Sequence, residues 1–150
     1  MSIPRLFLDE TLSEGAEPEA APGQAHHLGT VLRRAAGDAV HVFNARDGEW
    51  EGRIAFLRKD RARFLIGARR RAPAAEPELR LLVAPLKREP MDWLVEKATE
   101  LGATHIQPVV TRRTVAERSN TARLAGIARA AAEQCERLGV PAVADAAPLH

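Results

Sequence analysis

Residues 79–110 of the chain read LRLLVAPLKREPMDWLVEKATELGATHIQPVV, and this stretch decides the fold of the second half. It opens with a continuous apolar run, Leu79 to Pro85, as expected of a strand that is buried on both faces. Pro90 suits the first turn of a helix, and the apolar residues of 91–102 recur at helical spacing. His105 to Val110 is a second segment of strand length. Strand, helix and strand in this order predict a parallel α/β sheet.

The remainder of the second half extends this pattern. A second helix is predicted from about Thr121 to Leu138, with its apolar residues on one face and with Gly139 and Pro141 at its end. Ala142 to Ala146 is a third candidate strand. Residues 79–150 therefore predict the first part of an α/β domain with a short sheet.

The first half is predicted to be mostly β-structure. Arg5 to Leu8 is a short apolar run, and residues 11–24 are expected to form a loop because they are rich in Gly, Pro, Glu and Ala. A helix is predicted over 26–38. The turn Arg46-Asp47-Gly48 is typical of a hairpin. Strands are expected over 39–44, 49–57 and 63–68. Short strands, one helix and tight turns predict a small β-barrel.

A proline- and alanine-rich segment separates the two halves. Residues 71–78 read RAPAAEPE, without a large apolar side chain, which is typical of a linker. The sequence therefore predicts a β-barrel domain over 1–71, a linker over 72–78 and an incomplete α/β domain over 79–150.

The composition argues against several classes of protein. Of the 150 residues 45% are apolar and 28% are charged, which is usual for a soluble globular protein. No apolar run approaches the roughly 20 residues that span a bilayer, and the N-terminus lacks the pattern of a signal peptide. Cys135 is the single cysteine and has no Cys/His cluster around it, so we expect neither an internal disulfide nor a zinc site. A cytoplasmic protein without a membrane segment or a metal site is expected.

Basic residues are clustered although the net charge is only +2. Residues 53–71 carry an excess of seven positive charges and residues 105–129 an excess of four. Such tracts suit contact with the phosphate groups of nucleic acid. They are also compatible with solvated strand faces, and charge alone leaves both interpretations open.

The common catalytic motifs are missing from the sequence: there is no GxGxxG, P-loop, GxSxG or HExxH. Adjacent residues on a helix point about 100 degrees apart, so His26 and His27 are not expected to share a metal. Trp50 and Trp93 can stack on bases, but packing is the more common role of such residues. Gln134 lies near the apolar face of the second predicted helix, where a domain or subunit interface would supply hydrogen-bond partners.

Basic residues follow both strands of the predicted parallel sheet. Lys87 and Arg88 come after the first strand, and Arg112 and Arg113 come after the second. In open α/β sheets ligands bind beyond the carboxyl ends of the strands. These positions predict a phosphate or oxyanion site, with solvated loop residues as the alternative interpretation.

Six segments together resemble one known family. They are PRLFL (4–8), HHLGTVLRRAAGD (26–38), HVFNARDGEWEGRI (41–54), MDWLVEKATELGA (91–103), PVVTRRT (108–114) and EQCERLGVP (133–141). The family that they resemble is RsmE, whose members methylate N3 of a uridine in small-subunit ribosomal RNA. Each segment alone is a weak signal, whereas six in order across the whole chain are specific.

This resemblance implies a PUA-like RNA-binding barrel followed by the N-terminal portion of an α/β SPOUT (trefoil-knot) methyltransferase domain. It also implies S-adenosyl-L-methionine as methyl donor, the 16S rRNA of the small ribosomal subunit as partner, and a homodimer. The glycine-rich segments that form the knot and hold the cofactor in the family have no counterpart in these 150 residues. The cofactor site is therefore expected beyond residue 150, and no cofactor-binding residue is assigned.

The resemblance also assigns roles to single residues. Positions that match the family pattern are Arg5, Arg33, Lys87, Lys97, Glu100, Arg113, Glu133, Gln134 and Cys135. Lys87 and Arg113 are the predicted catalytic residues, because a cation near the uracil oxygens stabilises the anion that forms when N3 loses its proton. The predicted RNA-binding residues are Arg5, Arg33, Arg34, Arg112 and Arg118. Lys97, Glu100 and the group Glu133-Gln134-Cys135 are expected to be structural.

Two other functions remain open at this point. A non-catalytic RNA-binding or ribosome-assembly module would keep the barrel without the knot. An α/β domain of unrelated activity would carry its basic edge by chance. For the 150 residues alone we expect no catalytic activity and no binding of S-adenosyl-L-methionine.

Overall fold

The computed structural model describes residues 2–114 and 119–149. The chain forms two compact units, unit 1 over Met1–Ala74 and unit 2 over Ala75–His150. The division falls inside the proline- and alanine-rich segment. Within the described ranges, no helix combines the length and the apolar character needed to cross a membrane.

Unit 1 is built on a four-stranded sheet. Its elements are β1 (Arg5–Phe7), α1 (Pro22–His26), a π-helical turn (His27–Val31), β2 (Ala39–Asn44), β3 (Gly48–Arg58) and β4 (Arg61–Arg71). The strand order is β1-β2-β3-β4, with β1 parallel to β2 and the other two pairs antiparallel. Irregularities shift the register between β3 and β4 at three places.

One face of this sheet forms the core of unit 1. Alternate residues of a strand share a face, so the apolar positions of β2, β3 and β4 meet beneath the helical segment. Fully buried large side chains of this core include Leu28, Val40, Val42, Ile54, Phe64 and Ile66. The other face of the sheet carries most of the charged side chains that concern function.

The segment before α1 forms backbone hydrogen bonds with β4. Gly15 donates its N–H to the carbonyl of Ile66 at 2.9 Å, and Ile66 donates to Ala16 at 3.0 Å. Ala20 donates to the carbonyl of Ala62 at 2.9 Å. Residues that were predicted as a loop therefore run alongside β4 and satisfy its edge, which otherwise exposes unpaired backbone groups.

The helix predicted over 26–38 is wrong in position. α1 begins at Pro22, whose missing N–H costs nothing in a first turn, and the Gln24 side chain accepts from the Ala21 N–H at 3.1 Å. Helical structure ends at Val31, since Arg33 adopts a left-handed φ of 51° that a helix cannot continue through. The residues up to β2 form a loop.

Unit 2 contains the predicted parallel α/β arrangement. Its elements are β5 (Arg80–Val83), α2 (Arg88–Glu100), β6 (His105–Val110), α3 (Thr121–Gln134), β7 (Ala142–Val143) and β8 (Ala147–Pro148). β6 pairs with β5, β7 and β8, always in parallel. Of the predicted third strand over 142–146, only Ala142–Val143 is a strand, and β8 lies beyond the predicted end.

Helix boundaries in unit 2 follow local chemistry. Asn120 caps α3 by accepting the Arg123 N–H at 3.0 Å, and Gly102 follows α2 with a φ of 100°. Both helices pack on β6 through a core formed by Met91, Val95, Ala103, Ile106, Leu124 and Ala128.

Four predictions for unit 2 are wrong in detail. β5 is not buried on both faces, because Leu82 is 55% exposed. Leu101 is the last apolar residue of the helix predicted over 91–102, but it lies past the end of α2 and is 81% exposed, so it does not pack with the apolar face. α3 ends at Gln134 and not at Leu138, since Glu136 takes a left-handed φ of 62°. Gln134 itself is exposed and does not join the apolar face.

Candidate nucleic-acid interface

The outer face of the unit 1 sheet gathers cations around one carboxylate. Glu49, at the start of β3, is only 7% exposed. Arg5 donates its Nε–H to Glu49 Oε2 at 3.0 Å, and Arg71 Nη2 lies 3.4 Å from the same oxygen. Arg70 Nη1 lies 3.7 Å and His41 Nδ1 3.9 Å from Glu49 Oε1. We call these five residues the Glu49 cluster.

Strand geometry brings the Glu49 cluster together. Arg5 is paired in register with His41 across β1 and β2, and Glu49 with Arg71 across β3 and β4. The Arg5 guanidinium also lies over the Phe43 ring, 3.5 Å from its centroid. Such stacking and ion pairing fix the planar group in one orientation.

The Glu49 cluster carries an excess of positive charge. Burial, followed by the nearby Arg70 guanidinium, lowers the pKa of His41, so this imidazole is neutral at pH 7. Three guanidinium groups then face a single carboxylate, which leaves two positive charges. The side chains of Arg70 and Arg71 are 40% and 44% exposed, whereas that of Glu49 is 9% exposed. Solvent therefore meets the positive charges and not the negative one.

Other arginines of the basic tract in unit 1 are partly neutralised. Arg61 Nη2 lies 3.3 Å from a carboxylate oxygen of Glu19, and Arg63 Nη1 lies 3.5 Å from one of Glu17. Both pairs are exposed and contribute little stability, but they reduce the local field. The positive potential of β4 is thus concentrated at its C-terminal end.

The remaining predicted RNA-binding residues of unit 1 lie after the π-helical turn. Arg33 is exposed, and its left-handed backbone sets the direction of the chain at this point. Arg34 donates from Nη2 to the carbonyl of Ser2 at 2.6 Å, and its Nε is buried without a partner among the described residues. Arg5 is held by Glu49, with a side chain that is 8% exposed. RNA contact by these three residues stays a prediction.

Unit 2 places a second set of cations at one edge of its sheet. β5 and β6 are parallel neighbours, so the segments that follow them leave from the same end of the sheet. Lys87 occupies the position just before α2, makes no side-chain capping hydrogen bond there, and is exposed. Arg112 and Arg113 are exposed in the turn after β6, which is closed by the Thr114 N–H donating to Thr111 at 3.1 Å. Arg118 lies outside the described residues.

The other residues that match the family pattern lie in α2 and at the end of α3. Lys97 Nζ donates to both carboxylate oxygens of Glu100, at 3.0 Å, and the pKa of Lys97 is raised by its hydrogen bonds to Glu96 and then to Glu100. Glu133 and Gln134 are the last residues of α3, and the Cys135 N–H donates to the carbonyl of Ala131 at the helix end. The roles of these residues stay predictions.

Sequence reasoning missed the organising residues of both units. Glu49 was not singled out, although a carboxylate beginning a strand opposite a run of arginines was a usable signal. Arg137 stands four residues after Glu133 in the sequence, a spacing that predicts an ordinary ion pair and not the contacts that Arg137 makes. Its guanidinium donates to the carbonyls of Thr99 and Ala103, at 2.7 and 2.9 Å, and to Glu76 at 2.6 Å. It therefore satisfies carbonyls at the end of α2.

Comparison with known proteins gives one consistent result for both units. Residues 22–67 match the family model of an RNA methyltransferase PUA domain, and residues 74–150 match that of an RNA methyltransferase domain. The ribosomal RNA small subunit methyltransferase E of Rickettsia conorii is 31% identical over 151 residues, covering 100% of this chain and 62% of the relative. That of Synechocystis sp. is 34% identical over 128 residues, covering 84% and 41%.

Solved structures show the same fold. A ribosomal RNA small subunit methyltransferase E from Neisseria gonorrhoeae, bound to S-adenosyl methionine, has a TM-score of 0.84 and 29% identity, over 98% of this chain and 62% of that one. A Legionella pneumophila structure has a TM-score of 0.86 at 24% identity, over 99% and 64%. The chain thus spans less than two thirds of the length of these relatives. The comparisons confirm the resemblance and the PUA-like plus SPOUT-type α/β fold predicted from the sequence.

Proposed function

The chain belongs to the RNA methyltransferase family whose domain model matches residues 74–150, and from that premise we propose that it serves the methylation of uridine N3 in 16S ribosomal RNA. The observation that carries the proposal is the succession of a PUA-type unit and a methyltransferase-type unit, each with its own cations. The small ribosomal subunit would be the partner, and the working protein a cytoplasmic homodimer.

The proposed reaction needs an unpaired uracil. N3 lies on the Watson–Crick edge of the base, so that edge must leave its pairing partner before N3 is reached. N3 then gives up its proton, and negative charge develops on the neighbouring carbonyl oxygens. Preorganised cations at those oxygens lower the barrier most when water is excluded.

Lys87 and Arg113 are the residues that we propose for this charge stabilisation. Lys87 stands at the N-terminus of the 13-residue helix α2, where the helix dipole adds positive potential. Arg113 lies in the hydrogen-bonded turn after the neighbouring strand. Arg112 follows the same strand, and we propose that it binds a phosphate of the RNA.

S-adenosyl-L-methionine is the methyl donor that we propose, as in the Neisseria structure. The cations of unit 2 do not suit that molecule, because its sulfonium is itself positively charged and would be repelled by them. No described residue is therefore assigned to the donor. We also propose that the 150 residues alone are inactive.

Calorimetry with S-adenosyl-L-methionine tests the last point directly. We expect no heat of binding from the 150-residue chain under conditions in which it binds 16S rRNA fragments. If the reading frame continues beyond His150, the longer product should bind the donor and methylate the RNA. Binding of the donor by the 150 residues would overturn the assignment of inactivity.

Kinetics in the active form test the two catalytic residues. Lys87→Ala and Arg113→Ala should each lower kcat by well over tenfold and change RNA affinity much less. Lys59→Ala, an exposed lysine in the β3–β4 turn, is the matched control and should change neither. If RNA affinity and kcat fall by the same factor, both residues only position the RNA and do not stabilise the transition state.

A non-catalytic RNA-binding or ribosome-assembly module is the second candidate. It is favoured by the Glu49 cluster, which lies wholly within unit 1 and therefore does not depend on a methyltransferase site. If the 150-residue chain and any longer product both bind RNA and neither methylates it, the non-catalytic function is the correct one.

A further inference from the structure

A cavity of about 370 Å³ opens on the outer face of the unit 1 sheet. Side chains from β2, β3 and β4 form it together with Ile3, which precedes β1. The residues that the argument uses are Ile3, His41, Glu51, Arg53, Leu65 and Gly67. All of them belong to unit 1.

The cavity combines apolar walls with polar groups. Ile3 is 45% exposed and Leu65 is 46% exposed, so two large aliphatic side chains present surface to whatever enters. Glu51 lies opposite His41 in the sheet, and Arg53 lies opposite Leu65. An acceptor, a donor and two apolar surfaces therefore line one opening. This mixture is typical of sites that take a flat heteroaromatic ring.

The cavity adjoins the Glu49 cluster. His41 lines the cavity and also contacts Arg70, which is part of the cluster. Adding Arg53 and Glu51 to the cluster leaves the excess at two positive charges. A ligand whose ring enters the cavity would thus place an attached anionic group beside Arg70 and Arg71.

We propose that this cavity binds one unstacked nucleotide of single-stranded RNA, with its base between Ile3 and Leu65 and its phosphate at Arg70 and Arg71. The proposal rests on the RNA-binding function proposed above, gives unit 1 a share in it, and names the part of the RNA that unit 1 holds. Glu51 accepts from amino or imino N–H groups of the base, and Arg53 donates to its carbonyl or ring nitrogen. Protein surfaces recognise RNA bases mainly where they are unstacked.

Charge favours RNA over a protein segment as the occupant. A peptide would have to be acidic to complement the two excess charges, and its carboxylates would meet Glu51 inside the cavity. A nucleotide avoids this conflict, because its neutral base enters the cavity beside Glu51 while its negatively charged phosphate stays at the rim. The volume is at the lower end of the roughly 300–1,000 Å³ range of small-ligand sites, which suits one base and not a stack.

Gly67 offers a direct way to fill the cavity. A Cβ added at this position would lie 3.7 Å from the carbonyl oxygen of Glu51, which is an ordinary contact. The backbone at Gly67 is not in the left-handed region, so a larger side chain is tolerated. Gly67→Leu therefore blocks the site without removing a charge. Ala55→Leu is the matched control, since Ala55 is an exposed residue of β3 that does not line the cavity.

The measurement is fluorescence anisotropy of the 150-residue chain with a labelled 12-nucleotide RNA of mixed sequence, single-stranded or as a duplex. We expect Gly67→Leu to bind the single strand about tenfold more weakly, since one base contact is lost. Duplex affinity and the salt slope should not change, because the cluster is intact. Ala55→Leu should match the wild type. Leu65→Ser, which removes one wall at an exposed position, should also weaken single-strand binding.

The outcomes separate this proposal from the one on which it rests. If the wild type binds the single strand and Gly67→Leu with a native thermal melt binds it equally well, the cavity proposal is overturned while RNA binding stands. If the wild type binds neither RNA, both fail. If Gly67→Leu leaves RNA binding intact but abolishes self-association in sedimentation, the occupant is a second copy of the chain. If Gly67→Leu does not fold, Leu65→Ser takes its place: weaker single-strand binding supports the cavity proposal, and unchanged binding overturns it.

Discussion

The cations of the two units differ in how they are held. In unit 1, the three arginines of the Glu49 cluster lie within 3.7 Å of a buried carboxylate, and Arg5 is also stacked on the Phe43 ring. In unit 2, Lys87, Arg112 and Arg113 lie exposed beyond the strands of a parallel sheet. A side chain that is already fixed loses little rotamer entropy on binding, whereas a free lysine or arginine loses up to about 2 kcal/mol. Cationic side chains thus form a rigid docking surface in unit 1 and adjustable contacts in unit 2.

The largest effect is expected at Gly48, which fixes the position of Arg71. Gly48 has a φ of 88°, and an added Cβ would lie 2.1 Å from the carbonyl oxygen of Arg71. Gly48→Ala should lower the free energy of unfolding of unit 1 by about 4 kcal/mol, because backbone strain and a backbone clash combine. Gly37→Ala, at a φ of 94° with no atom nearby, should cost only about 1–2 kcal/mol. Urea denaturation measures both, and equal effects would show that the contact with Arg71 is unimportant.

The next effect tests whether Glu49 holds the cluster. Glu49→Gln leaves three guanidinium groups without their shared carboxylate, and we expect a loss of about 2–3 kcal/mol in unfolding free energy. Glu19→Gln is the matched control, because its pair with Arg61 at 3.3 Å is exposed. That variant should lose less than about 0.5 kcal/mol. If the two variants are equally stable in urea, the cluster is not held by its carboxylate.

A smaller effect is expected from the cations of unit 2. Arg112→Ala and Arg113→Ala should leave the thermal melt unchanged, because both side chains are exposed in a turn. Arg112→Ala loses the proposed phosphate contact and should reduce the salt slope of single-stranded RNA binding by about 0.7, whereas Arg113→Ala should leave that slope unchanged. Binding curves at several salt concentrations measure this, with Lys59→Ala as the control. A lower melting temperature would mean that these arginines are structural, as those of the Glu49 cluster are.

The smallest effect concerns pH and His41. Burial, and then Arg70, lower the pKa of His41 in the folded protein, whereas in the unfolded chain it returns to about 6.5. The unfolded state therefore binds protons more readily below about pH 6.5, and stability should fall as the pH drops through that value. His41→Gln should reduce this fall. Parallel urea curves at about pH 5.5 and about pH 7.5 measure it, and an unchanged pH dependence would contradict the assignment.

Much of the fold could be predicted because the sequence patterns that indicate its helices and strands are local. The predicted strand over 105–110 agrees with β6 at both ends, and helix α2 and the start of α3 lie close to where spacing and capping residues indicate. The family resemblance across six segments added the order of a PUA-like unit and a methyltransferase unit. The comparisons with related proteins confirm that order.

Errors arose where distant residues override local preference. The segment over 11–24 looked like a loop, yet its backbone pairs with β4 because that strand had an open edge. The helix over 26–38 was displaced, since the left-handed backbone of Arg33 has no reliable signature in sequence. For the same reason α3 was predicted four residues too long, with Glu136 in the left-handed region.

The two-part organisation, most element types and the family could be predicted from the sequence, because apolar periodicity, turn residues and characteristic segments are local features of the chain. Which arginines lie together follows from the folded structure and has no signal in the sequence. Strand register sets Arg5, Arg70 and Arg71 around Glu49, although up to 66 positions separate them along the chain. Electrostatic attraction falls with distance in space and not in sequence, so the charge that matters was fixed by pairing between strands.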